Sequence, residues 1–381
     1  MKVIIAIDSL KGCLSSMEAG LAIKEGILKA KPNADIVIKP LADGGEGTTD
    51  ALIEGLGGKR IELTVTGPMG KPVNCYYGII EKEDNRIAVM EMASAAGITL
   101  VPADQKNPLL ATTYGVGEMI LHALENGCRD FIIGIGGSAT NDGGIGMLKA
   151  LGFEFLDENG NDVGEGGQAL SKVITIKRDK VNENISLCNF KVACDVTNPL
   201  CGENGATYVY GPQKGVTDLF KESLDQGMAH FAKKTSLHFD CDYAAFPGAG
   251  AAGGLGFAFL SYLNASLTPG VDLILDAVEL EKELLKCNSS QTIVVTGEGR
   301  LDHQTAMGKA PVGVAKLAKK YDAKVIAFAG AVTKDACICN EAGIDAFFPI
   351  TRGITTLEEA MNPVNARENM SAAVEQVFRL L

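Results

Sequence analysis

Residues 131–144 read FIIGIGGSATNDGG, a β-branched apolar run that passes straight into a glycine-rich polar loop. A run with no polar alternation fits a strand buried on both faces, as in a parallel sheet covered by helices. The same kind of text recurs as VIIAI (3–7) before Asp8, TIVVT (292–296) before Gly297, KVIAFA (324–329) before Gly330 and AFFPI (346–350) before Thr351. Amphipathic stretches lie among these runs: MEAGLAIKEGILKA (17–30), opened by Ser16 and Glu18, VGVAKLAKKY (312–321), and the final LEEAMNPVNARENMSAAVEQVFRLL (357–381). Strands alternating with helices predict an α/β core.

Two regions break the pattern. Residues 60–92 alternate apolar and polar residues around Gly-Pro-Met-Gly and Glu-Asp-Asn, which predicts antiparallel hairpins. From about 152 to 284 the strand-like runs are shorter, with an acidic, glycine-rich loop at GNDVGEGG. The expected organisation is a discontinuous first domain of residues 1–60, 110–150 and 285–381, and a second α+β domain of residues 61–109 and 151–284.

Composition narrows the function. The 381 residues carry a formal net charge of −12, which disfavours a nucleic-acid surface because phosphate contacts need clustered Lys and Arg. No apolar run approaches bilayer-spanning length. The ten cysteines are dispersed, with no CxxC pair and one CxC at Cys337 and Cys339, which excludes zinc-finger and thioredoxin-type readings. The apolar run in MKVIIAIDS is too short for a signal peptide, so the thiols are expected in a reducing cytoplasm.

Open α/β sheets bind ligands just past the carboxyl ends of their strands. The loops that meet this condition are DSLKG (8–12), ADGGEGT (42–48), GIGGSATNDGG (134–144) and TGEGRLDHQT (296–305). Gly134, Gly136 and Ala139 fit the spacing GxGxxA, and Gly248, Gly250 and Gly253 fit GxGxxG. The first lacks an acidic strand end about twenty residues on, and the second follows Pro247 rather than a strand, so a dinucleotide site is a remote alternative. Lys59, Lys71 and Lys309 each follow a glycine but precede Arg, Pro and Ala, which excludes a Walker A loop. What remains is an anion cradle, in which backbone N–H groups converge and Ser138, Thr140 and Asn141 add donors. Asp142 there implies either a Mg²⁺ ligand or a helix cap near Gly144.

In order along the chain, DSLKGCLSSMEA (8–19), PLADGGEGT (40–48), KNPLLATTYGVGE (106–118), GIGGSATNDGG, VACDVTNPLCG (192–202), GPQKG (211–215), PGAGAAGGLGF (247–257) and TGEGRLDHQTAMGKAP (296–311) resemble the type I glycerate kinase family. Ile7, Leu10 and Cys13 depart from it, standing where the family often has Pro, Phe and Ser. The resemblance implies a flavodoxin-like parallel-sheet domain and a second mixed α+β domain formed by insertions, with the active site in the cleft between them. It also implies ATP- and Mg²⁺-dependent phosphorylation of D-glycerate, usually at the 2-hydroxyl. A 3-phosphate product, another small hydroxy acid, a nicotinamide-dependent dehydrogenase and a non-catalytic hydroxy-acid sensor are the alternatives.

Phosphoryl transfer needs a cradle, charge-offsetting cations, a group that deprotonates the acceptor and a clamp for the substrate carboxylate. The expected cradle is Gly136, Gly137, Ser138, Thr140 and Asn141, with Lys214 offsetting charge; the same loop is also able to hold glycerate. Asp195 is the first candidate for the base, expected to be poorly solvated at a strand end, with Asp302 and His303 as rivals. A backbone-bonding turn role for Asp195 is the alternative. Arg300 is expected to grip the carboxylate with Lys11 and Ser9, unless it is tied in an ion pair with Glu298 or Asp302. Asp43 and Glu46 are expected to hold substrate hydroxyls or Mg²⁺, or to cap the helix opening at Thr48. Lys309 is a further charge-offsetting candidate.

Overall fold

The computed structural model describes residues 1–42, 44–45, 47–82, 85–286 and 292–381. The chain forms two compact units, one of Met1–Asp43, Asp50–Gly57 and Val271–Leu381, the other of Gly44–Thr49 and Gly58–Gly270.

In the first unit the strands Lys2–Ile5, Asp35–Ile38, Thr292–Leu301, Lys324–Val332 and Ala346–Pro349 form one sheet in which every pairing is parallel. Numbered within the unit, their spatial order is 2-1-3-4-5, the flavodoxin-like arrangement. Val3, Ile5, Val295 and Phe328 are buried in one cluster with Ile23 and Ile27 of the helix Ser16–Ala30 and with Met370, Val374 and Phe378 of the helix Pro363–Leu380. The helix Ser16–Ala30 is capped by Ser15 rather than Ser16, in a reciprocal capping box with Glu18. Ser16 is instead a buried bridge, donating to the Ile7 carbonyl and accepting from Leu41 N. The terminal segment is two helices, Leu357–Ala360 and Pro363–Leu380, because Asn362 caps the second and Pro363 opens it.

In the second unit a six-stranded mixed sheet runs, in spatial order, Ser266–Thr268, Asn189–Ala193, Asp130–Gly134, Asn85–Glu91, Pro72–Lys82 and Lys59–Thr66. The first four strands pair in parallel and the last two continue as an antiparallel meander, the hairpins expected from residues 60–92. A two-stranded pair, Glu154–Leu156 with Thr175–Lys177, lies beside it in sequence. Phe131 stacks on Phe190 at 4.8 Å between ring centres, and Phe155, Phe231 and Tyr262 extend the core.

The expected boundaries are corrected at several places: residues 271–284 fall in the first unit, and residues 44–49 and 58–60 in the second. Residues 110–150 belong to the second unit, because Asp130–Gly134 pairs with Asn85–Glu91 and Asn189–Ala193. A run buried on both faces announces a central parallel strand, but carries no mark of which sheet it joins.

Candidate active site

In the second unit, Gly134 and Ala193 are paired at the ends of adjacent parallel strands. The residues that follow each strand open onto a cavity of about 390 Å³. Its wall includes Gly136, Gly137, Ser138, Asp195 and Lys214, five of the residues singled out in the sequence. Gly137 has φ +73°, a backbone state that a side chain disfavours. The loop is stitched in place by Ile98 N donating to Gly137 O and Ala139 N donating to Ala96 O, 2.8 and 2.9 Å.

Lys214 is only 2% exposed. It sits on the 3-10 turn Pro212–Lys214, and its Nζ donates to Ser138 Oγ at 2.6 Å and to the Thr140 carbonyl at 2.7 Å. Burial pulls its ammonium down to about 7, against the opposing influence of Asp142. Thr140 and Asn141 are fully buried and are not part of the cavity wall. Asn141 Nδ2 donates to Thr207 Oγ1 at 3.0 Å, so these two residues brace the loop from behind.

Asp142 is also fully buried, and its carboxylate faces protein donors. Oδ2 accepts from Thr113 N and Thr113 Oγ1, both at 2.8 Å, and from Gly146 N at 3.3 Å; Oδ1 accepts from Gly144 N at 3.1 Å. Burial pushes its pKa above the usual carboxylate value, against those four hydrogen bonds. The expected metal role is therefore corrected: Asp142 ties the helix Ile145–Ala150 to Thr113, with its oxygens already engaged. Among the described residues no group of three His, Cys, Asp or Glu side chains is arranged to hold a metal ion.

Asp195 is exposed rather than poorly solvated, because the chain leaves the sheet at Cys194. Its Oδ1 accepts from Gly270 N at 2.8 Å, which fixes the carboxylate at the cavity wall. Sequence reasoning missed Ile98, Tyr210 and Gln213, which share that wall. Tyr210 donates from its hydroxyl to Asn198 Oδ1 at 2.6 Å. Its only sequence signal was adjacency to GPQKG.

In the first unit the strand order reverses between Lys2–Ile5 and Thr292–Leu301, the place where this topology binds ligands. Asp8 N donates to Gly297 O at 3.0 Å, and a Cβ on Gly299 would lie 3.7 Å from Lys11 N. Ser9 and Lys11 are thus carried beside the backbone that leads to Arg300. Leu10 and Leu14 pair across the turn, leaving Lys11 exposed at its tip. Asp8 is buried and accepts from Ser9 N at 2.6 Å through Oδ1, an anchoring role the sequence did not single out.

Arg300 is 64% exposed in its side chain and donates from Nε and Nη2 to Asp302 Oδ2, at 3.0 and 2.8 Å. Asp302 Oδ1 accepts from Gln304 N at 2.9 Å and Thr305 N at 3.4 Å, capping the helix His303–Ala306. Burial pushes this carboxyl up, but Arg300, the Gln304 amide, Lys309 and the Thr305 amide together hold it below the usual range. A carboxylate so engaged is a poor proton acceptor, and Asp302 serves here as the cap of that helix. His303 pairs with Asp335 on the surface at 3.1 Å, and Lys309 lies 3.8 Å from Glu298. Asp43 and Glu46 lie outside the described residues.

The glycerate kinase family model matches residues 3–381. A glycerate kinase of Bacillus subtilis (strain 168) is 46% identical over 377 residues, covering 99% of this chain and 97% of its own. The glycerate 2-kinase of Escherichia coli (strain K12) is 44% identical over 381 residues, covering 100% of this chain and 98% of its own. A crystal structure assigned to glycerate kinase 2 of Salmonella typhimurium LT2 matches with a TM-score of 0.90 at 43% identity, covering 99% of this chain and 97% of that one.

Proposed function

The chain belongs to the glycerate kinase family, and from that premise we propose that it transfers the γ-phosphoryl group of ATP to the 2-hydroxyl of D-glycerate, giving 2-phosphoglycerate and ADP. The name of the Escherichia coli relative supports that product. The observation that carries the site assignment is the cavity of the second unit, where a glycine-rich loop, a buried lysine and a fixed carboxylate converge past two parallel strand ends.

In this reading the backbone at Gly136 and Gly137 and the Ser138 side chain cradle nucleotide phosphates, and Lys214 offsets their charge. Thr140 and Asn141 hold the cradle's shape. Asp195, oriented by Gly270 N, receives the proton of the attacking hydroxyl. In the first unit Arg300, Lys11 and Ser9 form a second anion-binding group, suited to a carboxylate; Asp302 sets the plane of the Arg300 fork.

The Mg²⁺ expected with ATP does not fit Asp142, whose oxygens are filled by four protein donors. Mg²⁺ ordinarily keeps several waters and binds through substrate phosphates with one or two carboxylates, and when bound it would supply charge neutralisation there. No helix is long and apolar enough to cross a membrane among the described residues, and their nine cysteines are free thiols, which supports a cytoplasmic setting as part of the proposal.

Phosphorus NMR of the protein with ATP, Mg²⁺ and D-glycerate tests the reaction. The expected product resonance is split by a single proton, as for a phosphate on the 2-oxygen. Splitting by two protons would indicate the 3-phosphate, and no glycerate-dependent signal would reject the substrate. Asp195→Asn should lower kcat by about 10²- to 10⁴-fold while the protein stays folded. A near-normal kcat would remove Asp195 from proton transfer.

A further inference from the structure

Lys214 is the one fully buried lysine among the described residues, and its electrostatic position is unusual. Its two hydrogen-bond partners, Ser138 Oγ and the Thr140 carbonyl, are both neutral. No described carboxylate lies within ion-pair distance of Nζ. Asp142 acts on it only at longer range and is itself surrounded by four donors. A neutral amine has two N–H bonds, the number these two acceptors use, while an ammonium has a third. Lys214 also lines the cavity that a bound group would occupy.

We propose that Lys214 takes its counter-ion from the substrate: as a phosphate anion enters the cavity, the amine picks up one proton from solvent and the resulting ammonium donates its third hydrogen to the anion. This rests on reading the cavity as the nucleotide-phosphate site. The step is a simple protonation, R–NH₂ plus H⁺ giving R–NH₃⁺, with the anion stabilising the product. An unpaired buried ammonium is costly, and a fixed anion removes the penalty. Burial holds the ammonium near 7, so the neutral amine is the favoured form at pH 8.

The neighbours that could confuse the measurement are few. Cys194 and Tyr210 share the cavity wall, and burial raises both, so they keep their protons at pH 8. Asp195 is exposed on the same wall, Asp142 lies behind the loop, and Lys106 reaches only the Gln213 carbonyl from the surface. A terminal phosphate is already fully ionised at pH 8, so a proton taken up there comes to the protein.

The experiment is isothermal titration calorimetry of ADP with Mg²⁺ into the full chain at pH 8, in buffers of differing ionisation enthalpy. Wild type should take up close to one proton per ADP bound, and less at pH 6, where the lysine is already charged. Lys214→Arg, which carries its charge at every accessible pH, should bind without that uptake. Lys214→Met should weaken binding by roughly ten- to a hundredfold, the range for a lost charge-assisted hydrogen bond. If Lys214→Met loses affinity while wild type shows no uptake, the inference fails and the cavity reading stands. If Lys214→Met binds like wild type, the cavity reading itself fails. Uptake that persists in Lys214→Arg assigns the proton to another group and overturns the proposal. The wild-type buffer series decides the matter even where a variant does not fold.

Discussion

Replacing Asp142 separates a structural carboxylate from a metal ligand. Asp142→Ala strands the Thr113 N–H and hydroxyl together with the Gly144 and Gly146 N–H groups, in a place with no access to solvent. Each stranded buried donor costs about 1–3 kcal/mol. Thr113 can turn its hydroxyl elsewhere, and the Gly146 contact is long, so the net loss should be about 3–6 kcal/mol. That is a large part of the roughly 5–15 kcal/mol that holds a domain together. Asp142→Asn can keep its carbonyl on the two Thr113 donors and turn its NH₂ toward Gly144 N, losing about 1–3 kcal/mol. Urea unfolding followed by far-UV circular dichroism reads both values, and the order must be wild type, Asn, then Ala. An Ala variant with the wild-type midpoint and an altered Mg²⁺ requirement would refute the structural assignment.

Two further outcomes follow from the same reasoning. Gly297→Ala should destabilise the first unit by at least about 2 kcal/mol, because φ there is +157° and a Cβ would collide with the Phe328 carbonyl; an unchanged thermal midpoint would contradict this close approach of the strands Thr292–Leu301 and Lys324–Val332. Lys214→Met should raise stability at pH 7 in the absence of nucleotide, since an unfolded lysine keeps its proton up to about 10.4 while the folded one loses it near 7. Between those values the unfolded state binds more protons, so wild-type stability rises with pH by up to about 1.4 kcal/mol per unit and the gap to the variant narrows. Parallel stability curves for the two proteins across pH 7–10 would show that Lys214 is not depressed.

Much of the candidate cavity wall was legible because glycine-rich loops after apolar runs mark where a backbone can approach a ligand. Gly136, Gly137, Ser138, Lys214 and Asp195 come from three separate stretches of sequence and meet on one cavity wall. Tyr210 and Ile98 meet there too, yet nothing in their local text distinguishes them from core residues. Asp142 and Asp302 show the opposite case. Each is an acidic residue in a polar loop whose sequence left chemistry and a structural role both open, and the three-dimensional fold surrounds each with donors that hold a helix.

The class of fold, the strand runs, the hairpins of residues 60–92 and the kinship to the glycerate kinases are written locally in the residues, because burial period and loop composition are local properties of the chain. Tertiary structure decided which sheet received Asp130–Gly134, which carboxylates were engaged and which lysine was buried. Those outcomes depend on hydrogen-bond partners and solvent exclusion contributed by residues far away in sequence, Thr113 for Asp142 and Ser138 for Lys214. No local pattern carries that information, since the charge and reach of an ionisable side chain are set by what surrounds it once the chain has closed.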